Sequence, residues 1–408
     1  MVQRLLLACP ASSYRLEAFV KAAGELDIQV HVAIDQPGPA RKLGCPHDRI
    51  DFTDIDASLR ILRTAAPFDG VLAADEKSAV LAAAAGAELS RLSYHTPAGV
   101  EAARDKRLMR TRLRDCVAVP DFEIVPIDGE PSTQIRFPCV VKPSMLSGSQ
   151  GVIRADSQSE LERAVARVRR ILDRHPSELR LLPEFFELLV EQYIEGDEVV
   201  VEALMREGDC EPLAIFDKPD PLVGPYFEET IYVTPSRKRE QHRLIETTAA
   251  AARALGLTHG PVHAELRIPP DGRPVLIEIA ARSIGGLCSR ALTHVVGSLE
   301  RRLVRAAVGL DSEPRPSAQS ASGVMMIPVP KSGVLDAVHG IDAARAVAGV
   351  DAVEISVSPG EAVRTLPEGD RYLGFIFAHA GEPQAVEEAL RSAHRALTFE
   401  LKPLLALA

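Results

Sequence analysis

The sequence predicts a chain of mixed α/β and α+β class: an open parallel α/β domain, a central region of different grammar, and a small C-terminal α+β lobe. Three observations carry this. Strand-like and helix-like runs alternate over roughly the first 95 residues, the pattern then turns to strand-loop-strand-helix, and a Pro- and Ser-rich stretch at 311–320 reads as a linker ahead of a last set of strands and one amphipathic helix.

Taken in order, 5–8, 14–26 and 28–34 read as strand, helix and strand, continued by a strand at 70–73 and an alanine-rich helix from about 78 to 89. No GxGxxG occurs, so dinucleotide binding has no support and the domain reads as a scaffold and one wall of a cleft. Thr96 before Pro97 is an N-cap followed by proline at the first helical position, and Asp105 caps a second helix that begins at Lys106. Strands at 137–142 and 152–155 flank a small-residue loop. Ser157 with Glu160 forms a capping box for a helix whose Leu161, Val165, Val168 and Leu172 recur at helical spacing, leaving Arg163, Arg167, Arg169, Arg170 and Arg174 on a solvated face. Strands at 188–192 and 198–204 are joined through Glu195-Gly196-Asp197. A helix ending at Leu255 has Gly256 as its C′ residue, and strands follow at 262–268 and 275–279. Beyond the linker come strands near 324–329, 353–357 and 372–378 and a helix over 383–397.

The net charge of −10 argues against a nucleic-acid surface, which needs Lys and Arg in surplus on one face. Six cysteines without a CxxC pair suggest reduced thiols in a cytoplasm. The apolar run at 4–8 is too short for a signal segment, and no stretch approaches the ~20 apolar residues that span a bilayer. A soluble, cytoplasmic protein is expected.

The most informative feature is a pair of carboxylates. If Asp271-Gly272 is a two-residue hairpin turn, Glu265 lies directly opposite Glu278. Like charges facing across a strand pair are destabilising, so a cation belongs between them, and two carboxylates plus phosphate oxygens is how Mg²⁺ is commonly held. The competing reading is an exposed hairpin face satisfied by Arg267, His263 or water. A second feature, Ser144 to Gly151, follows the strand that ends in Lys142; its small residues and hydroxyls suit an anion, whereas a plain hairpin loop is the alternative. Lys142 would be costly to bury without an anionic partner. Third, the run Glu191-Gln192-Tyr193-Ile194 leaves a strand and turns at Gly196, offering backbone groups to an adenine edge and Glu198 to ribose hydroxyls; otherwise it is a simple acidic turn. Arg282, ahead of Gly285-Gly286, suits a carboxylate or a developing phosphate, or makes a structural ion pair.

These parts in this order resemble the ATP-grasp superfamily over essentially the whole chain. Within it, Glu278-Ile279-Ala280-Ala281-Arg282, the segment Gly224 to Thr230 and the C-terminal lobe resemble the L-amino acid ligases, which make dipeptides. The resemblance implies a three-domain architecture: an open α/β N-terminal domain over 1–95, a two-lobed nucleotide-binding domain over 96–318 with a lid at about 120–200, and a C-terminal α+β lobe over 319–408. It implies that Lys106 and Lys142 hold ATP phosphates and that Ser147, Gly148, Ser149 and Gly151 belong to the mobile lid. Glu191, Gln192, Tyr193 and Ile194 would form the adenine hinge, with Glu198 on the ribose. Glu265 and Glu278 would bind Mg²⁺, with Mn²⁺ as a substitute. Arg282 and Lys142 would be catalytic, and Tyr226, Glu229 and Gly286 would line the substrate pocket. Many ATP-grasp enzymes have Asn two residues after the second metal glutamate, where this chain has Ala280.

The function so implied is an ATP-dependent ligase that joins a carboxylic acid to an amine, both small molecules and in the first instance amino acids, through an acyl-phosphate. Nucleic acid and membrane are not expected partners, and the oligomeric state stays open between monomer and the common homodimer. The rivals are an ATP-grasp carboxylase or phosphoribosyl-pathway ligase, against which the C-terminal lobe speaks, and a nucleotide-binding module without catalysis, motivated by Ala280.

Overall fold

A computed structural model describes residues 2–129, 131–175, 186–316 and 320–404. Residues 317–319 of the expected linker, 176–185 of the expected lid and the last four of the expected C-terminal lobe lie outside the described residues.

The first sheet is parallel, in the order β3-β2-β1-β4, from β1 (Arg4–Ala8), β2 (Gln29–Ile34), β3 (His47–Arg49) and β4 (Gly70–Ala73). Leu5, Leu6 and Leu7 are all fully buried, as in a parallel strand covered on both faces. A second, antiparallel sheet comprises β5 (Phe122–Pro126), β6 (Cys139–Pro143), β7 (Ile153–Ala155) and β8 (Glu187–Gln192) in the order β5-β8-β6-β7. The helix Gln158–Leu172 covers it with Leu161, Val165, Val168 and Leu172.

Two expectations about this helix need correction. Ser157 makes no side-chain cap; instead Glu160 reaches back one residue further, accepting from the Asp156 N–H at 2.7 Å. Nor is the arginine face simply solvated. Arg167 binds Glu368 through two hydrogen bonds of 2.7 and 2.9 Å, and Arg169 donates to the carbonyls of Ile127 and Gly129.

The third sheet has eight strands: β9 (Asp197–Arg206), β10 (Asp209–Asp217), β11 (Ile231–Thr234), β12 (Gly260–Ile268), β13 (Val275–Ala280), β14 (Ala321–Ile327), and, with β15 (Gly333–His339) and β17 (Ala362–Val363) lying elsewhere, β16 (Val350–Ile355) and β18 (Gly374–Ala380). Its order is β13-β12-β9-β10-β11-β14-β18-β16, so the strands after the linker extend the central sheet. β15, β17 and β19 (Thr398–Lys402) form a small sheet of their own. Strands β3, β5, β10, β11, β15, β17 and β19 are absent from the sequence reading.

The decisive register is as expected: Glu265 pairs with Glu278 and His263 with Ala280. The turn is not. The strands end at Ile268 and resume at Val275, and a bulge between Glu265 and Leu266 shifts the remaining pairs by one. The bulge absorbs the mismatch on the turn side, leaving the carboxylate pair in place. Gly196, in the turn between β8 and β9, has φ +116°, and a Cβ there would lie 2.0 Å from the Ile268 carbonyl oxygen, so no side chain fits. Gly256 ends its helix in the left-handed conformation, as read from the sequence.

Candidate active site

One cavity of about 400 Å³ lies where the small antiparallel sheet meets the eight-stranded sheet. Its lining includes Lys106, Lys142, Ser147, Gly148, Ser149, all four residues Glu191 to Ile194, Glu198, Glu265, Glu278, Arg282, Glu229 and Gly286. Residues separated by more than 150 positions in sequence thus converge. Two expected residues do not line it. Gly151 is buried below the loop and donates its N–H to the Pro367 carbonyl at 2.9 Å. Tyr226 packs against the core beneath the small antiparallel sheet and accepts from Arg167 at its hydroxyl, while its neighbour Phe227 faces the cavity.

The floor of the cavity is a charge network. Glu265 and Glu278, opposite each other on β12 and β13, are met by different cations: Glu278 by Lys106 at 3.3 Å, Glu265 by Lys218 and His263, each at 3.4 Å. The cation expected between them is therefore supplied in this structure by side chains on either side. Lys218, which the sequence reading overlooked, is buried and also binds Glu198 at 2.7 Å and Glu229. Burial opposes its charge, but the three carboxylates outweigh that and raise its pKa well above the ordinary lysine value. Burial raises Glu229, and the charge of Glu265 raises it further. Glu265 itself is driven down, because Lys218 and His263 overcome its desolvation. His263 is desolvated too, yet the adjacent Glu202 carboxylate pushes its pKa up to about 9, so it is an imidazolium at neutral pH. Glu202 in turn accepts from the Ile284 N–H at 3.0 Å.

Glu198 was expected on a ribose. Its carboxylate is held by Lys218 and by Arg267 Nε at 2.8 Å, so it enters the cavity already doubly paired. Nearby, the N–H groups of Gln192 and Tyr193 donate to Asp121 and Pro138, and the Ile194 carbonyl accepts from Arg267. Less of that backbone is open than the sequence suggested. The Tyr193 and Phe227 rings stack at 6.3 Å, giving a flat apolar edge to this end.

On the opposite wall, Lys142 does have an anionic partner, and it is internal: Glu191 at 2.6 Å. Glu191 is also bound by Arg110 Nε at 2.7 Å, and despite complete burial these two cations lower its pKa to about 2. Glu191 is thus the buried counter-ion of the lysine wall, and its carboxylate is not free to read a base. Arg110 was missed as well; it lies one turn beyond Lys106 on the helix Lys106–Leu113, on the face that buries Met109 and Leu113. Lys106 donates to the Leu146 carbonyl at 2.8 Å, fixing the base of the Ser/Gly loop. In that loop Gly148, Ser149 and Gly151 all have positive φ, a conformation that glycine adopts at little cost.

Arg282 reaches the cavity held by Glu76, three residues beyond β4, at 2.9 Å and by the Ser283 carbonyl. Burial disfavours its charge, but Glu76, Glu278 and Glu202 more than compensate. Phe375 lies beside Gly286, and Asp370 and Arg371 also line the cavity. Two half-buried carboxylates facing each other beside lysines and a small-residue loop form a donor set of hard oxygens and fixed positive charge, which suits a divalent cation with a polyphosphate.

Comparison with known proteins bears on the fold. Residues 135–291 match the ATP-grasp domain and residues 325–402 the L-amino acid ligase C-terminal domain 2. The chain thus carries an ATP-grasp domain followed by an L-amino acid ligase C-terminal domain. The structure of L-amino acid ligase from Bacillus licheniformis superposes with a TM-score of 0.79 and 25% identity, covering 98% of this chain and 99% of that one. Alanine–anticapsin ligase from Bacillus subtilis (strain 168) is 28% identical over 204 residues, 46% of this chain and 39% of that one. D-Alanine–D-alanine ligase from Thermotoga petrophila is 30% identical over 155 residues, 36% and 46% of the two chains. This chain spans about half the length of the curated relatives it matches, between 39% and 55%. Among the described residues no helix is long and apolar enough to cross a membrane.

Proposed function

We propose that this chain is an ATP-dependent carboxylate-amine ligase acting on amino acids. The carboxylate of one substrate attacks the γ-phosphorus of ATP, the bond to the bridging oxygen breaks and ADP leaves. The amine nitrogen of the second substrate then attacks the acyl carbon, the carbon–oxygen bond to phosphate breaks, and an amide and phosphate result. The observation that carries this reading is the Glu265–Glu278 pair opening on the same cavity as Lys106, Lys142 and Arg282.

Glu265 and Glu278 would hold Mg²⁺, or Mn²⁺ in its place, and the ion would neutralise charge on the transferring phosphate. Lys106 and Lys142 would bind phosphate oxygens, each exchanging part of its present pairing for them. The Ser147 to Gly151 loop would cover the nucleotide and exclude water from a hydrolysable acyl-phosphate. The stacked Tyr193 and Phe227, with Gln192 and Ile194, would form the base end of the site, and Glu198 the ribose end. Arg282 would hold the acyl-phosphate, fixed by Glu76 before substrate arrives. Glu229, with Gly286, would face an amino-acid substrate. Ala280 stands opposite His263, so the strand pair presents an imidazolium on the cavity face where many superfamily members present an amide.

On this reading residues 1–95 are the N-terminal domain, 96–318 the ATP-grasp domain with a lid at about 120–200, and 319–408 the C-terminal lobe. The partners are small molecules, the setting is cytoplasmic, and a homodimer is the oligomer to look for.

The test is a screen of amino-acid pairs for ADP release, with mass spectrometry of the products. An amide whose amount matches ADP is the expected result, and Glu278→Ala should reduce it by roughly 10²–10³-fold with the fold retained, as loss of one transition-state electrostatic contact does. Near-normal phosphate release by that variant would remove the metal assignment; ATP binding with no acid- and amine-dependent ADP would favour the non-catalytic module.

A further inference from the structure

We propose that His294, Asp351 and His379 form a binding site for one divalent transition-metal ion of the Zn²⁺ type, separate from the cavity. None of the three lines the cavity, and the inference does not depend on the proposed reaction.

The three residues come from different elements: His294 from the helix Thr293–Val296, Asp351 from β16 and His379 from β18. One nitrogen from each imidazole and an oxygen from the carboxylate lie within 4.8 Å of one another. The two oxygens of Asp351 face one nitrogen each, Oδ1 toward His379 Nδ1 at 2.6 Å and Oδ2 toward His294 Nε2 at 3.4 Å. The rings stack with centroids 4.3 Å apart and planes 18° from parallel; because an imidazole nitrogen ligates in the plane of its ring, the rings would turn out of this stack to share the ion.

The backbone is shaped for this convergence. Asp351 sits where the pairing of β16 with β18 slips by a residue between Val350 and Ala352, and such a bulge re-aims the side chain it carries. The His379 N–H donates to the Gly349 carbonyl at 2.9 Å, fixing the opposing strand at that point.

Two imidazoles and one carboxylate are the ligands of borderline transition ions such as Zn²⁺, Co²⁺ or Ni²⁺; Mg²⁺ and Ca²⁺ prefer an all-oxygen set. His294 is partly and the other two substantially exposed, which leaves a path for entry and open positions for water. The ion would tie the segment that follows cavity-lining Cys288 to the two outermost strands of the large sheet.

The experiment uses the full chain stripped of metal, with Mg²⁺ in excess, titrated with Zn²⁺ against a chromophoric chelator. Wild type should take up one equivalent that Mg²⁺ does not displace, and Co²⁺ in its place should give a ligand-field absorption band. His294→Asn and His379→Asn should each weaken binding by at least about tenfold, since each removes a metal–nitrogen bond, and the double variant should lose the equivalent and the Zn²⁺-dependent rise in melting temperature. Circular dichroism establishes that the variants fold. Equal Zn²⁺ uptake by wild type and the double variant, no uptake by wild type, or displacement by Mg²⁺ would each overturn the proposal.

Discussion

The floor of the cavity and the Ser147 to Gly151 loop, the lid on the proposed reading, are built on opposite plans. On the floor, the carboxylates are met by buried cations: Glu198 by Lys218 and Arg267, Glu265 by Lys218 and by His263 of its own strand, Glu202 by His263. The lid loop instead leaves Ser147 and Gly148 exposed and is fastened from outside. Gly151 N–H and Gln150 Nε2 donate to the carbonyls of Pro367 and Glu368, and Arg167 on the lid's helix clasps the Glu368 carboxylate. The floor is therefore fixed before any ligand arrives, because unpairing a buried charge is costly. The lid is held by contacts that water can replace.

Three outcomes would sharpen or break this contrast. The largest belongs to Lys218→Met, which leaves the buried Glu198 and the half-buried Glu229 and Glu265 without their shared cation. It should cost about 3–5 kcal/mol in urea unfolding, the usual penalty for breaking a buried pair, and an unchanged midpoint would mean that the floor is not held together by charge. Next is His263→Gln. The folded pKa, about 9, lies above the ordinary histidine value of 6.5, so the stabilisation is complete below pH 6.5 and disappears as pH rises through 9. The gap in stability between wild type and variant should be about 1–3 kcal/mol at pH 6 and should close above pH 9; a gap independent of pH would contradict an imidazolium. The smallest effect is for Glu368→Gln, whose pair with Arg167 is partly exposed, 20% and 33%. Stability should fall by less than about 1 kcal/mol, while ADP released per amide formed should rise as the lid opens to water. A ratio equal to wild type would show that the clasp does not govern closure.

What was legible in the sequence was local. Glu265 facing Glu278 followed from the Asp271-Gly272 turn signal, although the real connection is longer and a bulge restores the register. The caps at Thr96 and Asp105 and the C′ glycine at 256 depend on a few adjacent residues and fall where expected. Lys218 escaped because strand β10 was not recognised, and its three partners are 11, 20 and 47 positions away. A signal was available: a lysine just past the apolar run Leu213 to Phe216, after Asp217, poses a burial problem like that of Lys142. Arg110 could have been found from its four-residue spacing to Lys106 on a helix with Met109 and Leu113. Tyr226 and Phe227 are neighbours outside any strand, where no alternation tells which one faces inward.

The continuity of the eight-stranded sheet has a consequence for anyone cutting this protein into modules. β11 pairs with β14 from Ile231 to Thr234, across the linker. A fragment ending before Ala321 would expose that edge, with its unpaired amides and carbonyls on an apolar Ile-Tyr-Val-Thr strand, and should self-associate instead of standing alone. Exchanging C-terminal segments between relatives is thus a graft into the middle of a sheet, and the incoming strand must match β11 residue for residue.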